Sequence, residues 1–162
     1  MKSCGLYLRV STEDQATMKE GSLKIQRTRL ESFVKSKNTS AEKWRVSKVY
    51  CEEGVSGKNM HRPQLQALLD DLRDKKINVI LCTKIDRITR SLLDFYYLCK
   101  VFKCYSADFI CLDDSFDTST AIGRMSLKMI LIFAELEREQ IGEMSSNKGK
   151  FGIVEQRPDI RV

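Results

Sequence analysis

Short apolar runs alternate with amphipathic stretches along this chain, and the alternation predicts its elements. From Cys4 to Val10, Leu6, Leu8 and Val10 alternate with Tyr7 and Arg9, the period of a strand. The run stops at Ser11, Thr12, Glu13 and Asp14, residues that favour turns and helix starts. Leu23, Leu30, Phe33 and Val34 then predict an amphipathic helix over Ser22–Lys37. Trp44–Cys51 reads as a strand through Val46, Val49 and Tyr50, and a polar loop follows over Glu52–Asn59. Pro63 suits the first turn of a helix striped by Leu65, Leu68, Leu69 and Leu72. The continuous apolar run Ile77–Cys82 fits a parallel strand covered on both faces. A helix over Leu92–Lys103 and a strand over Ala107–Leu112 complete the pattern. Strands and helices in this order predict an α/β fold, an open, mainly parallel sheet of four to five strands flanked by helices.

The last stretch behaves differently. From Ile122 to Lys148 there is no proline, and between Met129 and Leu136 every residue except Glu135 is apolar. A helix of about 27 residues would be about 40 Å long, more than one small domain can cover. Its apolar surplus predicts burial on more than one side, hence self-association, with Met125, Met129, Ile132 and Leu136 as the contacts. The expected division is a catalytic α/β unit over 1–121, an association helix over 122–148 and a tail over 149–162.

Composition narrows the classes. With 162 residues, 42% of them hydrophobic and 31% charged, the chain has the make-up of a globular domain. No run approaches membrane-spanning length and no signal-type segment opens the chain, so a cytoplasmic protein away from membranes is expected. Six cysteines without a CxxC pair read as reduced thiols, mostly buried. A lone histidine, His61, argues against a histidine metal centre, and no cofactor or metal is expected. A net charge of +6 is compatible with nucleic acid.

Candidate chemistry gathers at two predicted strand ends. Ser11 follows the first strand, with Arg9 two residues before it; a hydroxyl beside a guanidinium suits a phosphate. After the Ile77–Cys82 strand comes Lys84–Arg90, where a helix would set Asp86 and Arg90 four residues apart on one face. Alone, the first cluster reads better as Ser11 capping a helix beside a solvated Arg9, and the second reads also as a surface trio of ion pairs. Together, at equivalent strand ends, they point to a phosphate clamp.

Six short motifs in order then resemble the catalytic domain of serine site-specific recombinases, the resolvase/invertase superfamily. They are Tyr7–Thr12 with Gln15, Glu53–Gly57, Arg62-Pro63, Lys84–Arg90, Phe116–Thr120 and Glu135–Glu139. The second and fifth are most like the large serine recombinases, phage integrases and mobile-element transposases.

The resemblance implies DNA breakage and rejoining through a phosphoserine, on double-stranded DNA, without metal or ATP. Carried over by position, Ser11 is the nucleophile, Arg9, Arg87 and Arg90 contact the scissile phosphate, and Gln15, Gln26 and Asp86 complete the catalytic set. Arg62, Tyr7 and Lys84 are expected on the phosphate- and DNA-binding side, and Glu137 in a supporting place. Dimers pairing into a tetramer on DNA are implied, as is a DNA-binding region after the long helix. Gly149–Val162 resembles no such region, so an isolated or truncated catalytic domain is expected. Two other classes stay open. A nucleotide- or phosphate-binding α/β enzyme lacks the expected GxGxxG or P-loop sequence, and a non-catalytic oligomeric interaction domain leaves the arginines around Ser11 unexplained.

Overall fold

Two buried strands pair side by side at the centre of the sheet. In the computed structural model, which describes residues 1–10, 15–53 and 62–148, β1 (Lys2–Val10) lies between β2 (Trp44–Glu53) and β3 (Val79–Cys82), all parallel. β4 (Asp108–Cys111) adds in parallel to β3, and a two-residue β5 (Phe116–Asp117) closes the edge antiparallel, giving the order β2-β1-β3-β4-β5. The helices are α1 (Gln15–Lys37), α2 (Pro63–Arg73), α3 (Ile85–Ile88), α4 (Leu92–Cys104) and α5 (Ala121–Lys148).

Alternation along the strands sorts the core into two layers. Leu6, Leu8, Val79, Leu81 and Ile110 meet Leu30 and Val34 of α1 on one face. Tyr7, Ile80, Cys82 and Phe109 meet Leu65, Leu68 and Leu72 of α2 and Phe95, Leu98 and Phe102 of α4 on the other. Every residue from Cys4 to Val10 is buried, as a strand covered on both faces requires. Odd-numbered positions of β1 therefore face α2 and α4, and Arg9 is one of them. The chain leaves β1 for β2 on one side and reaches β3 on the other. Such a reversal of strand order opens a crevice at the carboxyl strand ends.

Several elements differ from expectation. Helix α1 begins at Gln15 rather than Ser22. Strand β3 begins at Val79, because Asn78 turns its side-chain oxygen to the Ser3 amide (2.8 Å). Strand β5 is too short to show in the pattern. The larger correction concerns Lys84–Arg90, which is not one helix. Helix α3 stops after four residues, Thr89 is extended (φ −161°, ψ 155°), and Ser91 caps a new helix through the Asp94 amide (3.2 Å). Asp86 and Arg90 are therefore not neighbours one turn apart on a helix.

Helix α5 carries two apolar stripes. Leu127, Ile130 and Ala134 pack inward, Ala134 with 2% of its surface exposed. Ile122, Met125, Met129, Ile132 and Leu136 are all exposed, each by 47% or more. Its first turn rests on β5 at Gly123, whose amide bonds the Thr120 hydroxyl (3.0 Å); a Cβ there would run into the carbonyl of Asp117. Gly123→Ala is expected to lift this end of α5 and cost about 1–3 kcal/mol, the range for overpacking. Urea denaturation of both chains measures it, and an unchanged midpoint would remove this contact as the anchor of α5.

Candidate active site at the β1 and β3 strand ends

Arg9, one residue before the end of β1, has no exposed surface. Its guanidinium reaches across the crevice to α3, where Nε donates to the Arg87 carbonyl (2.9 Å) and Nη2 to the Asp86 carbonyl (2.7 Å). Arg62, the residue before α2, is equally buried. It donates from Nη1 to the same Arg87 carbonyl (3.3 Å) and from Nη2 to the Ile88 carbonyl. In return the Arg9 carbonyl accepts from Arg87 Nη1 (3.4 Å) and from Gln26 Nε2 of α1 (3.3 Å).

This clasp explains why α3 is so short. The carbonyls of Asp86, Arg87 and Ile88 would receive the amides of residues 90, 91 and 92 if the helix continued. Guanidiniums occupy them instead, and the backbone is released into the extended Thr89. Asp86 pairs with its neighbour, Oδ1 lying 3.7 Å from Arg87 Nε.

Burial holds Arg9 below its usual pKa, and the charges of Arg62, Arg87 and Arg90 add to the effect, with Asp86 opposing them. Among the described residues, Arg62 Nε and Asp86 Oδ1 are buried without a hydrogen-bond partner. Arg90 and Lys84 are exposed and, with Asp86 and Ser91, line a cavity of about 430 Å³ beside the cluster.

A buried carboxylate absent from the sequence-based candidates supports this cluster. Glu52, near the end of β2, is 3% exposed, and its Oε2 accepts the Gln64 and Leu65 amides at the start of α2 (3.1 and 3.3 Å). The same oxygen accepts the Tyr7 hydroxyl (3.4 Å), and the Arg62 guanidinium lies 5.5 Å from the centre of the Tyr7 ring. Burial pushes the Tyr7 phenol up, so at neutral pH it stays protonated and donates. Tyr7 is thus wholly buried beneath Arg62. A second support is Asp114, whose Oδ2 accepts the Ile85 amide (2.7 Å) and caps α3. The sequence pattern puts Glu52 in the loop after Cys51, whereas β2 runs on to Glu53; the signal is a pair of carboxylates between a strand and a glycine.

The structure brings Arg9, Gln26, Arg62, Asp86 and Arg87 together, with Arg90 and Lys84 at the rim. Ser11, the side chains of Gln15 and Glu137, the Gly54–His61 loop and the tail from Gly149 lie outside the described residues. Among the described residues no group of three or more His, Cys, Asp or Glu side chains could hold a metal, and no helix is long and apolar enough to cross a membrane. Glu52→Ala is expected to cost about 1–3 kcal/mol, because two amides at the start of α2 lose their acceptor. Glu52→Gln, which keeps an acceptor oxygen, should cost less. Chemical denaturation ranks the two, and an alanine variant as stable as the parent would refute the capping role.

Comparison with known proteins supplies the family. Residues 4–150 match the family described as Resolvase, N terminal domain. The chain is 33% identical over 141 residues to the Transposon Tn917 resolvase of Enterococcus faecalis, a match covering 87% of this chain and 66% of the relative. It is 34% identical over 137 residues to DNA-invertase hin of Salmonella typhimurium, covering 85% and 62%. It thus spans a little under two thirds of these relatives. The N-terminal catalytic domain of TP901-1 integrase superposes with a TM-score of 0.75 at 35% identity, covering 86% of this chain and 98% of that domain. With the family matched over most of its length, and a catalytic-domain fold matched almost end to end, the chain belongs to the resolvase/invertase family of serine recombinases.

Proposed function

We propose that this chain cuts and rejoins double-stranded DNA at specific sites, with the Ser11 hydroxyl as nucleophile. The observation that carries the proposal is the gathering of Arg9, Arg62, Arg87 and Arg90 at the end of β1, with Arg9 and Arg62 wholly buried and held on the carbonyls of α3. The charges of Arg62, Arg87 and Arg90 all act on buried Arg9, and that of Asp86 opposes them. Guanidiniums gathered in fixed positions suit an anion with several oxygens, and a phosphodiester is such an anion. The names of the relatives, a resolvase and a DNA-invertase, supply the DNA rearrangement.

In this reading Ser11 Oγ attacks the scissile phosphorus as the bond to the 3′ oxygen breaks. The products are a 5′-phosphoserine and a free 3′ hydroxyl. Negative charge gathers on the non-bridging oxygens, and guanidiniums already fixed by backbone carbonyls stabilise it without reorganising. The same field lowers the cost of ionising the Ser11 hydroxyl. A serine phosphodiester conserves the energy of the broken bond, so the 3′ hydroxyl can reverse the step without ATP. Metal is not needed where guanidiniums supply the charge. Gln26 and Arg87 fix the carbonyl of Arg9, two residues before Ser11.

The test is incubation with supercoiled DNA carrying a cognate site, followed by detection of protein joined to 5′ ends. Ser11→Ala should give no adduct while folding normally. Arg87→Lys and Arg90→Lys should each lower the cleavage rate by about 10²–10³, as an ammonium cannot replace a planar fork on phosphate oxygens. Activity should persist in EDTA. An active alanine variant, or lysine variants cleaving at the parent rate, would overturn the assignment.

The outward stripe of α5 is the proposed surface for dimers and for their pairing into a tetramer on DNA. Met125, Met129, Ile132 and Leu136 expose apolar area that a second copy would cover. Ile132→Glu or Leu136→Glu is expected to shift the chain to monomer and abolish cleavage. Light scattering across a concentration series reads the first effect. A parent chain that stays monomeric at high concentration, with and without DNA, would refute the assembly role.

A further inference from the structure

We propose that the cavity between α4 and α5 binds a small amphiphilic anion, a carboxylate carrying a medium-length hydrocarbon tail. The cavity holds about 570 Å³, within the usual range for small-molecule sites. It opens beside Asp108 at the start of β4, whereas the arginine cluster lies at the carboxyl strand ends. The site is therefore separate from the proposed DNA chemistry and does not rest on it.

Its floor is apolar and already built. Cys99, Phe102 and Phe109 are each 4% exposed or less, and Leu127 and Leu131 of α5 form the opposite wall. Burial pushes the Cys99 thiol up to about 12, so this wall carries no charge at neutral pH. The mouth is cationic, with Lys100 and Lys103 on α4 facing Arg124 and Lys128 on α5. Arg124 is steadied by the carbonyls of Thr118 and Ser119 (3.4 and 2.6 Å), and Lys100 Nζ sits 4.4 Å from the centre of the Tyr96 ring. Asp108 is the one acid in the lining, and Lys2 already takes its Oδ2 (2.7 Å). Four cations outnumber the acids near them, Glu135 acting on Lys100 and Asp108 held by Lys2, and above an apolar floor they select a headgroup of negative charge and a tail without polarity. A neutral alcohol would forgo the headgroup contacts, and a cationic amphiphile would be repelled. Such a ligand would touch α4 and α5 at once and tie the long helix to the body of the domain.

The experiment titrates the full chain with dodecanoate below its micelle concentration, read by calorimetry and by fluorine NMR of fluorophenylalanine-labelled protein. Expected results are one equivalent bound, shifts at Phe102 and Phe109 with none at exposed Phe133, and a melting temperature raised by several degrees. Dodecanol and dodecyltrimethylammonium should bind at least tenfold more weakly. Lys103→Glu with Lys128→Glu should weaken dodecanoate at least tenfold, and Lys103→Gln with Lys128→Gln should do so partially if the reversed pair impairs folding. The proposal is overturned by any of three outcomes. The first is no saturable binding to the parent chain. The second is binding that ignores both the headgroup and the lysines, or that shifts Phe133 alone. The third is a self-associating chain whose dimers dissociate on charge reversal while dodecanoate leaves Phe102 and Phe109 unmoved, which would make the cavity a protein contact.

Discussion

Three backbone carbonyls, those of Asp86, Arg87 and Ile88, organise the candidate site. In an ordinary helix their partners would be amides of the following turn. Here the partners are Arg9 from β1 and Arg62 from the start of α2, so segments far apart in the chain are tied to one short turn. The arrangement does two things at once. It gives the buried guanidiniums neutral acceptors, and it adds no negative charge of its own, since a carbonyl accepts a hydrogen bond without supplying a counter-ion. A carboxylate in the same place would have satisfied the donors and brought a negative charge with it.

The strand pattern made the fold legible because it follows burial, and burial in this domain is regular. Leu6 and Leu8 on one face and Tyr7 on the other are where alternation puts them, and the leucine stripe of α2 meets the core as its spacing implies. Family membership was also readable, through short motifs in a fixed order. The failures have a common physical origin. Hydrophobic periodicity does not register the competition between a side chain and an amide for one carbonyl. Lys84–Arg90 looked like a helix because Ile85, Ile88 and Leu92 keep helical spacing, whereas Arg9 and Arg62 end that helix from outside its own sequence. Glu52 escaped notice for a similar reason. Its value lies in accepting two amides of α2 and the Tyr7 hydroxyl, none of them its neighbour in sequence.

Gln26 is the instructive middle case. It lies between Leu23 and Leu30 on the side of α1 that turns to the sheet, and it is 6% exposed. An amide on an otherwise apolar stripe is a visible anomaly, since a residue that only filled the core would be apolar. The structure accounts for it through the Arg9 carbonyl, whose donors include Gln26 and Arg87. A polar exception inside an apolar stripe was thus a guide to the site alongside the charged residues Arg9, Asp86 and Arg87.

The outward residues of α5 have a geometric consequence. Ile122, Met125, Met129, Ile132 and Leu136 are spaced alternately three and four apart, a mean repeat of about 3.5, whereas a straight helix turns every 3.6 residues. The stripe therefore slips round the helix by about 20° in each seven residues. Two such helices can follow one another along the whole stripe only by winding into a left-handed pair. If they stay straight, they touch at a single crossing and part on either side of it. A contact confined to one crossing has little to hold it at a fixed angle, and the angle between two copies would then be set by whatever else binds them.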